Sequence, residues 1–313
     1  MKEYVSSLES LCGAYRFTFK DGKAKGCDCI VAHNGVLTLY INPDRGLDIL
    51  RVEYRGENVA FISKNGEISP SLIGTNGYQF VNSFPGGFLY TCGLDNCMGE
   101  DTIKGKKIQQ HGTYTYLPAE NLSYQTIEEN GKLFLIISGI MHYTALFGAN
   151  IELKRTITLE YGQSSFELVD EITNQSFASD EYIIMYHHNL GYPLLDEHAK
   201  LSIDHKAIDI YAPGSNINNW SNFESPKPRK PEEVFVHTIN GGQKMHAELA
   251  NNNHSVSIEW DGDKLPYMIQ WKSMACQDYA CGIEPTISKY PAKTFKKLDA
   301  ESTDTYKLIY RFK

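Results

Sequence analysis

Tryptophan is scarce, at three residues in 313, and no stretch stays apolar long enough to cross a membrane as a helix. Met1 to Phe17 also lacks an apolar segment of signal-peptide length, so the chain is predicted to be soluble and cytoplasmic. Cysteine is present seven times, but Cys27/Cys29, Cys92/Cys97 and Cys276/Cys281 all lack the two-residue spacing of a zinc knuckle. The expectation is therefore reduced thiols and no structural zinc site. Positive charge is deficient too: the net charge is -8, the pI is near 5.7, and there is no long basic run or basic amphipathic helix. That balance argues against a nucleic-acid partner. Internal repeats, heptads and low-complexity tracts are missing, which removes solenoids and coiled coils. A neutral polar small molecule is the partner left standing.

The chain is instead rich in tyrosine (20) and glycine (25), a mixture that favours strands and turns. Gly35–Ile41, a turn at Asn42–Gly46 and Leu47–Tyr54 read as a hairpin. Lys132–Met141, Ile151–Leu159 and Ser165–Ile172 follow, the last two alternating polar and apolar residues, as strands with one wet face do. Leu201–Asp204, His254–Trp260, Tyr267–Trp271 and Tyr306–Phe312 complete the strand candidates. Ser69–Ile73 and Gln277–Tyr279 are the predicted helical turns. Pro213–Glu233 is rich in Pro, Asn and Ser and reads as a long surface loop of the kind that borders binding sites. No composition shift marks a boundary, so residues 1–313 read as one all-β domain, a large antiparallel β-sandwich with few short helices.

Chemistry concentrates in Tyr182–Glu197. A strand-forming run there ends in His187, His188 and Asn189, followed by the turn signal Gly191-Tyr192-Pro193. Successive side chains on a strand face opposite ways, so His187 shares a face with Ile183, Met185 and Asn189, and only one of the two histidines can enter a given pocket. Three further segments set His, Asp or Glu close to Gly or Pro: Gly86–Asn96, His111–Asn121 and Cys281–Thr286. Asp196, Glu197 and His198 read as a solvated loop. Trp271 and Tyr267 are of a type that stacks on sugars, although core packing is the commoner use.

Taken together and in order, these segments resemble the aldose 1-epimerase (galactose mutarotase-like) family, in its branch of largely uncharacterised substrate. The resemblance spans nearly the whole chain. It rests on Arg45-Gly46 followed by Asp48-Ile49, Gly86-Gly87 leading to Thr91-Cys92-Gly93-Leu94, and His111-Gly112 leading to Pro118-Ala119-Glu120. Tyr186-His187-His188-Asn189 with Gly191 and Pro193-Leu194-Leu195, and Gly282-Ile283-Glu284-Pro285, complete it. It implies the galactose mutarotase-like supersandwich, with a monosaccharide or sugar derivative on a concave sheet face. It also implies an isomerase mechanism, needing no metal or organic cofactor, in which Glu284 is the base at the anomeric hydroxyl, His187 the acid at the ring oxygen, and His111 an assisting catalytic residue. Arg45, Asp95 and Asn189 fall on the branch motifs as substrate-binding candidates. The spacing departs from the wider family, for a single residue separates His187 from Asn189 where three are typical.

The competing expectation is a carbohydrate-binding protein that keeps the pocket without turnover. A third, a hydrolase or lyase, would pair Glu284 with Asp95 across a glycosidic bond. For the charge of the sugar, the candidate cations are the run Lys104–Lys107 and a rim of Lys227, Arg229 and Lys230.

Overall fold

Alternation of polar and apolar residues is what builds the layers. Along the strands Lys132–Thr144, Asn150–Glu160 and Ser165–Asn174, every second side chain is buried and the intervening ones are partly or fully solvated. The computed structural model describes residues 3–73, 79–103, 105–242 and 244–313. In it these three strands lie in an eight-stranded antiparallel sheet. Its order is Lys200–Ile203, Met245–Ala250, Ser255–Trp260, Thr303–Phe312, Ser165–Asn174, Asn150–Glu160, Lys132–Thr144, Glu120–Glu129.

A twelve-stranded antiparallel sheet packs against it. Its main path runs Gly13–Thr18, Asp28–His33, Leu37–Asn42, Asp48–Tyr54, Leu89–Leu94, Asp180–Leu190, Asp278–Thr286, Tyr267–Ala275, Glu233–Ile239, His205–Ile210. The hairpin expected around Asn42–Gly46 is present, with Leu39 opposite Val52 and Leu37 opposite Tyr54. One continuous apolar core fills the space between the sheets.

The three central strands of the larger sheet differ from the rest. Leu89–Leu94, residues 182–190 and residues 280–286 are buried on both faces, because loops cover the side turned away from the sandwich. Such strands read as continuous apolar runs, as residues 182–186 do.

A buried ionic network ties the sheets together. Arg155, fully buried on the smaller sheet, donates to Asp170 at 2.9 and 2.8 Å and reaches across to Asp48 at 2.8 Å and the Thr91 hydroxyl at 2.9 Å. Tyr186 donates to Asp170 at 3.0 Å from the larger sheet. Every oxygen that Arg155 neutralises is thus held in place by a second partner or a paired strand.

Helix is confined to short pieces. Pro70–Leu72 forms a 3-10 turn where Ser69–Ile73 was predicted, and Gln79–Ser83 is a single α-turn. Gln277–Tyr279 is not helical. Gln277 has a positive φ of 70° at the tip of the tight hairpin joining Tyr267–Ala275 to Asp278–Thr286, so the polar residues there serve a strand reversal. Residues 213–232 form the expected long connection, interrupted by a 3-10 turn at Ile217–Asn219. Among the described residues, no helix is long and apolar enough to cross a membrane.

Candidate active site

Strand register brings the chemistry together. Met185 lies opposite Thr286 and His188 opposite Ile283, which places His187 across from Glu284 on the neighbouring antiparallel strand. Cross-strand neighbours have Cβ atoms about 5 Å apart, close enough for their side chains to meet. His187 Nε2 and Glu284 Oε1 stand 3.2 Å apart, not aligned for a hydrogen bond. On the other side His187 pairs with Tyr90, and Glu284 pairs with Ile269.

Parity separates the two adjacent histidines as the sequence requires. His188 faces the core, where its ring nitrogens meet the Ile283 carbonyl at 2.8 Å and the Tyr310 hydroxyl at 3.0 Å. His187 faces the opposite way, into a cavity of about 320 Å³ that is also lined by His111 and Glu284. That volume is at the small end of ligand pockets and suits one sugar ring.

His111 reaches the cavity from a turn rather than a strand. Its φ is +64° and that of Gly112 is +77°, two successive left-handed residues that turn the chain and aim the imidazole inward. A Cβ on Gly112 would lie 2.3 Å from the Asn96 carbonyl, so only glycine fits there. The His111 ring stands edge-on to His187, with centroids 5.3 Å apart. Its Nδ1 accepts the Met98 backbone N–H at 3.3 Å, which leaves the proton of the neutral ring on Nε2, beside the Gln110 amide at 3.3 Å.

Asn189 shares a strand face with His187. Its Nδ2 donates to the Gly87 and His187 carbonyls at 3.0 and 3.1 Å, which fixes the amide and leaves Oδ1 as the free acceptor. Both Asn189 Oδ1 and His187 Nδ1 are buried without a hydrogen-bond partner, two residues apart on one face. The amide favours the protonated form of the His187 ring, against the larger opposing effect of burial.

Burial dominates the electrostatics. It holds the Glu284 carboxyl well above the usual carboxylate range, with the nearby Glu232 charge adding to the rise. Burial likewise holds His187 well below the ordinary histidine range, helped by His111 and His188, and brings His111 down to about 3. The two shifts run in opposite directions, burial favouring a protonated Glu284 carboxyl and an unprotonated His187 ring.

Glycine makes room for this pair. Gly282, two residues before Glu284 on the same face, lies opposite Trp271. A Cβ there would stand 2.5 Å from Glu284 Oε1 and 2.8 Å from Trp271 Cβ.

A family model described as a domain of unknown function, DUF4432, matches residues 24–304. The chain belongs to the DUF4432 family. No curated protein matches the sequence of this DUF4432 chain. Solved structures do resemble its fold. A Klebsiella pneumoniae protein provisionally named an aldose 1-epimerase superposes with a TM-score of 0.90 at 24% identity, over 95% of this chain and 82% of that one. A galactose mutarotase-like protein from Clostridium acetobutylicum gives 0.67 at 14% identity, over 97% and 99%. The galactose 1-epimerase of Lactobacillus acidophilus gives 0.61 at 12%, over 96% and 98%. The DUF4432 chain thus has the galactose mutarotase-like β-sandwich fold expected from its sequence.

The remaining candidates of the DUF4432 chain lie outside the cavity wall. Arg45 is buried one layer behind it, over the rings of Tyr90 and Tyr116 at 5.8 and 5.4 Å, and 3.7 Å from Glu67. Asp95 accepts from the Thr113 backbone N–H at 3.0 Å and its hydroxyl at 2.9 Å, bracing the turn after His111. Asp95 is not among the residues that line the cavity with Glu284. Asn189 sits behind His187, as described above.

Several lining residues escaped sequence reasoning. Trp271, for which core packing was the commoner use, walls the cavity and donates from Nε1 to Glu232 Oε2 at 2.8 Å. Glu232 ends the long polar loop, whose Pro- and Asn-rich composition was the signal available. Gln110, Tyr211 and Tyr290 come from turns, and the hydroxyls of the two tyrosines meet at 2.5 Å. No group of three or more His, Cys, Asp or Glu among the described residues is arranged to hold a metal ion.

Proposed function

We propose that this chain interconverts the anomers of an uncharged aldose by acid–base opening and closure of the sugar ring. The observation that carries the reading is Glu284 and His187 facing each other at 3.2 Å across adjacent strands in a cavity the size of one sugar. Ring opening needs a base at the anomeric hydroxyl and an acid at the ring oxygen, both within hydrogen-bond reach of one ring. The proton that burial favours on Glu284 first passes to His187; the Glu284 carboxylate then takes the O1 proton while His187 Nε2 protonates O5, and the C1–O5 bond breaks. The proton is then on Glu284, and the C1 aldehyde rotates. Closure runs the same transfers backwards onto the other face of the aldehyde, so one proton suffices for the cycle. Asn189, a positioning residue in this scheme, favours the protonated His187 ring that the acid step needs. His111 offers its Nε2 proton to a sugar hydroxyl.

The charge of the sugar follows from the wall. Among the described residues lining the cavity there is no lysine or arginine, whereas Glu232 and Glu284 are both present. Lys107 is instead 2.8 Å from Glu100, and Lys227 and Lys230 are both paired with Glu224. Arg229 is exposed and Lys104 lies outside the described residues. A phosphate or carboxylate on the sugar would meet acids here rather than cations.

The test is anomer exchange followed by saturation-transfer NMR over a panel of neutral aldoses, comparing the native chain with Glu284→Gln. The variant keeps the shape and removes the proton acceptor, and a loss of about 10²- to 10⁴-fold is expected. Unchanged exchange in the variant refutes the assignment of the base. Sugar binding with no exchange would favour the carbohydrate-binding protein.

A further inference from the structure

A second cavity, of about 590 Å³, opens on the same outward face of the larger sheet, over its first four strands. Its lining shares no residue with the first cavity, and the Ile62–Gly86 bridge runs beside it. Ile30, Leu39, Ile41 and Val52 point into the core, so their strand neighbours Cys29, Tyr40 and Arg51 face outward into this space. One wall is aromatic: the Phe17 and Phe19 rings meet edge to face at 5.1 Å, with Tyr40 beside them.

The charge on this lining is the reverse of the first. Lys23, Arg51 and Lys64 all border it. Lys64 is 2.7 Å from Asp278, whereas Lys23 and Arg51 form no ion pair with any described residue. Of the two acids on the lining, Glu67 is already committed to Asn42 at 2.8 Å and to Arg45 at 3.7 Å, and Asp21 is exposed, so three cations face two acids. In a chain of net charge -8, two unpaired cations beside a cluster of aromatic rings are a local exception. We propose that this second cavity binds a small anion borne on a planar ring, with the ring packed on Phe17, Phe19 and Tyr40 and the charge met by Lys23 and Arg51. The chemistry that an anionic ligand requires is absent from the first cavity and assembled in this one. Rings stack on the aromatic edges, and a guanidinium takes phosphate or carboxylate through two parallel N–H donors.

The test uses phenyl phosphate as the minimal probe, against phenol and inorganic phosphate, with binding read from backbone amide shifts of the native chain. Saturable shifts confined to Phe17–Ala24, Tyr40, Arg51 and Lys64 are expected, with phenol and phosphate each weaker by about tenfold or more. Lys23→Gln and Arg51→Gln, both at exposed positions, should each weaken the probe about tenfold, and added salt should weaken it further. A neutral aldose at saturation should leave the probe's affinity unchanged. Absence of shifts, equal affinity for phosphate alone, or undiminished binding by the double variant would each overturn the proposal. None of these outcomes bears on Glu284 and His187, so the two readings stand or fall separately.

Discussion

Replacing Gly282 by alanine tests whether the distance between Glu284 and His187 matters. The new methyl would lie 2.5 Å from Glu284 Oε1, where ordinary contact begins at 3.4 Å, so the carboxylate must retreat by about 0.9 Å. It would also press on Trp271 Cβ at 2.8 Å, which has no free end to swing aside. Overpacking of this kind costs about 1–3 kcal/mol, a fall in Tm of roughly 2–5 °C for a chain of this length. The chain should therefore stay folded while its reacting groups lose register. A displacement near 1 Å at reacting atoms costs on the order of 10²-fold in rate. The assay is anomer exchange by saturation-transfer NMR alongside a thermal melt. Exchange within about threefold of the native rate, in a chain shown by its amide spectrum to carry the methyl without rearrangement, would refute the reasoning. Because Gly282 does not adopt a left-handed φ, any loss is steric and not a backbone effect.

Three other outcomes are expected. Exchange should follow the pair rather than free side chains: its acid limb should fall below the ordinary histidine range, where His187 takes a second proton, and its alkaline limb above the ordinary carboxyl range, where Glu284 loses the shared one. An acid limb at or above pH ~6.5 in kcat/KM would contradict the buried His187. Arg155→Met strands Asp48 and Asp170 between the sheets and should cost about 3–5 kcal/mol in urea unfolding; a loss under about 1 kcal/mol would mean the network is not what joins the layers. His237 donates to Gln270 at 3.1 Å and meets His205 at 3.2 Å, and burial lowers it to about 3. The unfolded chain takes that proton first, so stability should be full above pH ~6.5 and fall towards pH 3 by up to about 1.4 kcal/mol per unit. His237→Gln should flatten that slope, and urea midpoints at pH 7, 6 and 5 would show it.

Much of this was legible because strand geometry is periodic. The alternation in Ser165–Asn174 and the opposite facing of His187 and His188 depend only on a two-residue repeat, which the sequence displays directly. Glu284 and His111 were reachable through motif resemblance, since neither has a periodicity that marks it. What stayed hidden depends on contacts distant in sequence. Nothing local to Trp271 says that its partner across the ladder is a glycine, which leaves its ring free to wall a cavity. Arg45 and Asp95 carry the right functional groups, but which layer a buried side chain occupies is decided by neighbours such as Tyr90 and Thr113. Gln277–Tyr279 was misread because a polar turn between two strands and a short helix draw on the same residue types.

The origin of the cavity wall has a consequence for how such a protein can change. Glu284 and His187 stand on facing positions of a hydrogen-bonded ladder, whereas Gln110, Tyr211, Glu232 and Tyr290 are carried by turns and connections. In the proposed reaction proton transfer is thereby anchored to the frame, and the groups on the rest of the cavity wall belong to segments that can be lengthened, shortened or exchanged without shifting that frame. Transplanting residues 211–232 from a relative on the same scaffold would retune which molecule is held while leaving the reacting pair in register.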